Sequence, residues 1–230
     1  MVKSHLNYLK RIRLYRSCFF IIMLPGGLFS QGQATKDDPC KQVLDYDWLT
    51  VNTCEMPDTK LRSIHATFQL HTNINEYAAM VLDIDAYKEW NKSATNYQLR
   101  ERPASNQAIF YSEVEAPWPV SNRFGIYHVK VYKRSDEGTL TVISDLKPEL
   151  MHQQDDFIQI GGYQSKLTIV QIDTNLIEGE FYLTVDPGGS IPDWVTNLSL
   201  KTISNNYFLN LKARLEKDTN PKNNEIISRI

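Results

Sequence analysis

The sequence predicts an α+β domain in which a curved antiparallel sheet wraps around one long helix near the C-terminus. Three observations carry this. Six short segments between Asn96 and Asp186 are rich in Tyr, Val, Ile, Thr and Phe and are separated only by turn residues, which reads as a run of hairpins and not as alternating β and α units. Residues 73–91 carry a helical apolar period before them. A longer helical segment runs after them, from about Ile191 to about Leu215.

Composition bounds the rest. The 230 residues are 42% hydrophobic and 23% charged with a net charge of −2. That balance builds an ordinary core and gives no electrostatic footprint for nucleic acid. Residues 3–16 are the exception. Lys3, Lys10, Arg11, Arg13 and Arg16 precede the apolar run CFFIIMLPGGLFS and then polar QGQATKDD. This order reads as a secretory signal peptide over 1–30, cleaved after Ser30, with an uncleaved signal anchor as the alternative. Export would leave Cys40 and Cys54 as an even pair in an oxidising compartment. A disulfide and two free thiols both fit that pair.

In chain order, residues 31–43 are a polar N-terminal lead, and CKQVLDYDWL is expected as a short helix with Val43, Leu44 and Trp48 on one side. LTVNTCE is a strand, MPDTK a turn, and LRSIHATFQL a half-buried strand with Leu61, Ile64, Ala66 and Phe68 in alternation. NINEYAAMVLDIDAYKEWN is expected as one helix, capped by Asn73 with Glu76 three residues on. The strands NYQLRER, QAIFYSEVE, GIYHVKVYKR, TLTVISDL, SKLTIVQID and EGEFYLTVD follow. Gly188 and Gly189 permit the positive φ of a sharp turn. Ser190 is the candidate cap of the closing helix, with Pro192 in its first turn. The domain spans 44–217, and 218–230 is a polar tail.

The turn APWPVSNR, the segment DPGGSIPDWVTN some seventy residues later, YKEWN and the closing YFLNLKARL together resemble the START domain, the steroidogenic acute regulatory protein-related lipid-transfer domain. The resemblance covers roughly Leu44 to Lys217. It implies a helix-grip fold: a curved antiparallel sheet gripping the C-terminal helix around a hydrophobic tunnel that holds one sterol, fatty acid or phospholipid. One residue departs from the pattern. The family usually places Asp after the arginine of the first turn, and here Phe124 follows Arg123, so Arg123 needs another partner, a carboxylate elsewhere or turn carbonyls. Pro117 and Pro119 stiffen this corner and Trp118 covers its underside, so the turn reads as a rigid joint more than a ligand contact.

Strand alternation sorts the candidate tunnel lining. Phe110, Ser112 and Val114 share one face of their strand; Tyr127, Val129 and Val131 share a face of the next; Phe181, Leu183 and Val185 share a face of the last. Helical spacing adds Ile203 and Tyr207, on one side of the closing helix with Val195, Leu200, Leu211 and Leu215. The expected lipid-binding set is therefore Phe110, Val114, Tyr127, Val129, Phe181, Leu183, Val185, Ile203 and Tyr207. A second stripe of Ile191, Trp194, Leu198 and Leu209 falls opposite. It either packs under the N-terminal segment around Trp48 or, through Trp194 and Leu198, touches a membrane transiently.

No catalytic motif accompanies this lining. His65, His71, His128 and His152 are scattered without ligand spacing, so no metal and no cofactor are expected. No GxSxG elbow is present, and Asp155-Asp156 reads as a solvated loop. The expectation is a monomeric, non-enzymatic lipid-binding or lipid-transfer protein. The alternatives are a helix-grip enzyme of cyclase or hydrolase type in the same cavity, or an interaction domain with a filled core.

Overall fold

The computed structural model describes residues 40–55, 62–116, 120–150, 156–191 and 193–216, with side chains at all of these except 55, 62 and 193–199. The expected signal peptide, the MPDTK turn, Leu61, the prolines and Trp118 of the first motif, Pro192 and the polar tail lie outside the described residues.

The β-rich segments become β1 (Cys40–Tyr46), β2 (Leu49–Glu55), β3 (Arg62–Leu70), β4 (Asn96–Glu101), β5 (Gln107–Val114), β6 (Asn122–Arg134), β7 (Thr139–Leu146), β8 (Phe157–Gln159), β9 (Gly162–Asp173) and β10 (Leu176–Asp186). They form one sheet in the order β1-β2-β3-β10-β9-β7-β6-β5-β4, which is open at both edges. Every pairing along this path is antiparallel. β8 lies off the path and runs parallel to the start of β6. Its three residues are too short a run to show a period in the sequence.

The first segment corrects an expectation. CKQVLDY is not helical but the edge strand β1, paired with β2. A register shift between Gln42 and Leu44 lets the consecutive residues Val43 and Leu44 both pack on the core. Two adjacent inward residues break strict alternation, which is how a bulged strand imitates a helical pattern. Cys40 stands opposite Cys54 in the register, and their sulfurs are bonded.

The expected single helix over 73–91 is also divided. α1 (Ile74–Leu82) is capped as expected, with Asn73 Oδ1 accepting from the N–H groups of Asn75 and Glu76 at 3.0 and 3.1 Å. It ends at Asp83, and a 3₁₀ turn (Ile84–Ala86) leads into α2 (Tyr87–Trp90). A continued helix would give the Val81 carbonyl to the N–H of residue 85. Here the Tyr87 hydroxyl donates to it instead, at 2.5 Å. The break brings Ile84, Tyr87 and Trp90 into the core together.

The closing helix α3 (Asp193–Leu215) lies against the inner face of the sheet. Leu200, Ser204, Phe208 and Leu211 are its buried stripe, and Leu209 is exposed. The Phe208 ring packs 5.4 Å from Phe68 on β3 and 6.1 Å from Phe181 on β10. The β1–β2 hairpin holds the helix from the side. Tyr46 donates to Asn205 Oδ1 at 2.9 Å, and Lys212 Nζ sits 4.8 Å from the centre of the Trp48 ring. The N-terminal hairpin thus meets the helix through polar and cation–π contacts.

A candidate ligand cavity

Successive cross-strand pairs build one wall. Ile64 on β3, Leu183 on β10, Ser165 on β9, Ser144 on β7 and Val129 on β6 are neighbours in the register, and all face the same space. One step along the strands, Phe181, Leu167 and Val142 form a parallel row. The opposite wall comes from Tyr77 and Val81 of α1, Tyr87 and Trp90 of α2, and Leu200, Ile203, Ser204, Tyr207 and Phe208 of α3. Between the walls lies a cavity of about 340 Å³. The inward faces therefore line a void as well as joining the packed core around it.

All nine residues expected from alternation and helical spacing stand on this wall: Phe110, Val114, Tyr127, Val129, Phe181, Leu183, Val185, Ile203 and Tyr207. Ser112 joins them, while Val131 packs in the core. Ile191 departs from its expected place. It precedes the helix, so its direction is set by the turn and not by the helical angle, and it lines the cavity. The side chains of Trp194, Val195 and Leu198 lie outside the described residues.

Polar groups stand among the apolar side chains of the walls. Six tyrosines contribute to it: Tyr77, Tyr87, Tyr97, Tyr127, Tyr163 and Tyr207. Their rings form a linked set. Tyr87 packs edge-on against Trp90, Tyr97 and Phe110 at 5.3–5.6 Å, and Tyr127 against Tyr163 at 4.9 Å. Burial holds all six hydroxyls above the usual phenol pKa, so they remain neutral donors and acceptors. Four serines, Ser112, Ser144, Ser165 and Ser204, are buried on the same walls. The Tyr163 hydroxyl donates to Ser165 Oγ at 3.4 Å.

Arg123 lies at the cavity and is only 4% exposed. Its Nε donates to the Pro187 carbonyl and its Nη2 to the Gly188 carbonyl, both at 3.4 Å, while Nη1 donates to Ser121 O. The partner it needs in place of the expected family aspartate is thus a set of three carbonyls. Burial lowers its pKa, yet a guanidinium keeps its charge. Phe124, the departing residue, points away into a cluster with Ile109, Tyr111 and Ile126, covered by Phe157. Gly188 and Gly189 have φ of 71° and 64°, as the sharp turn requires. Asn122 Oδ1 accepts from the Ala116 N–H at 3.1 Å and closes the first turn.

Known proteins share this architecture. The STAR-related lipid transfer protein from Xanthomonas axonopodis superposes with a TM-score of 0.68 at 23% identity, over 78% of this chain and 99% of that one. Human StAR-related lipid transfer protein 5 gives 0.66 at 12% identity, over 80% and 89%. The chain has the START-domain fold. An uncharacterised protein of Pseudomonas aeruginosa is 23% identical over 81% of this chain and 91% of its own length. The bovine phosphatidylcholine transfer protein is 26% identical over 54% of this chain, and the match spans 59% of that protein, little more than half. No family model matches the sequence. At these identities the likeness shows the fold.

Proposed function

We propose that the protein binds one hydrophobic ligand of the lipid class in this cavity and carries it, without chemical change, between membranes. The observation that carries the reading is the void itself: about 340 Å³ between a sheet and helices that would otherwise close on each other, lined mainly by apolar and aromatic side chains. The volume lies at the low end of the ~300–1,000 Å³ typical of ligand sites. A sterol or single-chain lipid suits it better than a two-chain phospholipid. The names of the phosphatidylcholine and STAR-related transfer proteins support the lipid class in general.

A carrier is favoured over an enzyme by the charge on the walls. The described titratable groups there are neutral tyrosines, Arg123 committed to carbonyls, and the exposed Glu115. None of these is a base held near neutral pH beside a nucleophile. Export through residues 1–30 agrees with the Cys40–Cys54 bond, since disulfides persist in oxidising compartments. In this reading Trp194 and Leu198 touch the membrane during exchange. Fluorescent sterol transfer between donor and acceptor vesicles tests the proposal. It should rise in proportion to added protein, and a rate no greater than the spontaneous one would refute transfer.

A further inference from the structure

Two residues of the cavity wall each carry a buried polar atom without a hydrogen-bond partner: Trp90 its Nε1 and Ser204 its Oγ. Trp90 is 6% exposed and Ser204 4%. The fold brings them to the same side. The Trp90 ring packs 5.9 Å from the ring of Tyr207, and Ser204 lies three residues before Tyr207 on α3, one turn away.

Each is anomalous in its place. Ser204 interrupts an otherwise apolar buried stripe of Leu200, Phe208 and Leu211. A helical serine commonly satisfies its hydroxyl on the carbonyl one turn back, and this one does not. An indole N–H has no alternative role, since it donates only. Leaving such groups buried and unpaired costs about 1–3 kcal/mol each.

We infer that Trp90 and Ser204 form a polar subsite that receives an uncharged oxygen of the ligand, a hydroxyl or a carbonyl. This inference rests on the lipid-binding reading above and names the ligand within it. The oxygen must accept, because Trp90 can only donate. It must be uncharged, because the described cation on the walls, Arg123, already serves three carbonyls, and an unpaired carboxylate or phosphate in these surroundings would be strongly desolvated. A neutral lipid alcohol or ketone meets both conditions, whereas a hydrocarbon lacks the acceptor and a fatty-acid anion carries a charge.

Two matched probe series test this with the full chain, loaded from phosphatidylcholine vesicles and weighed by mass spectrometry. One is cholesterol, cholestene and cholesterol sulfate; the other is oleyl alcohol, octadecene and oleate. In whichever series binds, the alcohol should exceed both the deoxy and the anionic member by about tenfold. Ser204→Ala removes one hydroxyl and should lower the alcohol-to-deoxy ratio about threefold or more. Trp90→Phe should lower it further. The ratio is read on bound protein within one series, so a general loss of stability does not imitate the effect, and Ser204→Ala suffices if Trp90→Phe fails to fold. An alcohol-to-deoxy ratio near one in the wild type, or a high ratio unchanged in Ser204→Ala, would overturn the subsite while leaving lipid binding intact. Failure of every probe to bind would overturn the lipid-binding reading itself.

Discussion

The Arg123 side chain donates from Nη2 to the carbonyl of Gly188, 65 positions further along the chain, at 3.4 Å. With the bonds to Ser121 and Pro187, one guanidinium ties the turn before β6 to the turn before α3. These turns belong to two of the four segments that carry the START resemblance. Their separate weak signals meet at one buried cation, which fixes where the closing helix leaves the sheet.

Arg123→Met should therefore destabilise the fold by about 1–3 kcal/mol, the cost of leaving buried acceptors unpaired. Arg123→Lys should recover only part of this, because a single ammonium lacks the fork that reaches carbonyls in separate directions. Urea denaturation of both variants checks the order. Equal stability of the lysine variant and the wild type would show that charge, not geometry, matters.

Gly179 on β10 sits beneath the ring of Phe68. A Cβ there would lie 2.3 Å from Phe68 Cζ. That ring cannot swing aside freely, being 2% exposed and packed on Phe208. Gly179→Val is expected to cost about 1–3 kcal/mol through overpacking, read as a lower Tm, despite the better strand propensity of valine. An unchanged or raised Tm would mean that the core yields at this point.

Breaking the Cys40–Cys54 bond removes a constraint on the unfolded chain over a separation of 14 residues. Up to about 3 kcal/mol of stability should go with it. The Cys40→Ala, Cys54→Ala double variant should unfold at lower denaturant, and reductant should no longer shift its midpoint. A reductant-sensitive midpoint in the double variant would place the effect elsewhere.

His128 should make the fold less stable in mild acid. Its Nε2 lies 2.7 Å from Gln107 Oε1, and its Nδ1 is buried without a partner. Burial lowers its pKa, with Lys130 and Lys147 adding to the effect. Below the unfolded value of about 6.5, the unfolded chain takes up a proton that the folded histidine resists. Stability should then fall as pH drops from about 6.5 towards the lowered folded value, and rise with pH through the same window. His128→Gln should flatten this segment of the stability–pH curve. A slope retained in the variant would assign it to other groups.

Much of this was legible in the sequence because the sheet obeys a period of two. Alternation on three strands placed seven lining residues, and helical spacing placed Ile203 and Tyr207. The same alternation in TLTVISDL and GYQSKLTIV puts Ser144 in phase with Leu140 and Val142, and Tyr163 and Ser165 in phase with Leu167 and Ile169. The polar component of the wall was thus within reach on β7 and β9. β1 was not, because its bulge sets two adjacent residues inward. The break after α1 depends on a tertiary hydrogen bond from Tyr87, which no local pattern announces. Phe208 is buried beside Tyr207, a reminder that a helix enclosed by a curved sheet buries a broader arc than one stripe.

The proposed function requires the space between the sheet and α3 to hold one lipid. Native mass spectrometry of the purified chain, after incubation with vesicles of a mixed lipid extract and removal of the vesicles, tests it most directly. A single added lipid mass per chain is expected, lost in Leu183→Trp, where a larger ring occupies the cavity wall while the fold persists by circular dichroism. A wild-type chain that shows only its own mass, or a Leu183→Trp chain that retains the lipid undiminished, would contradict it.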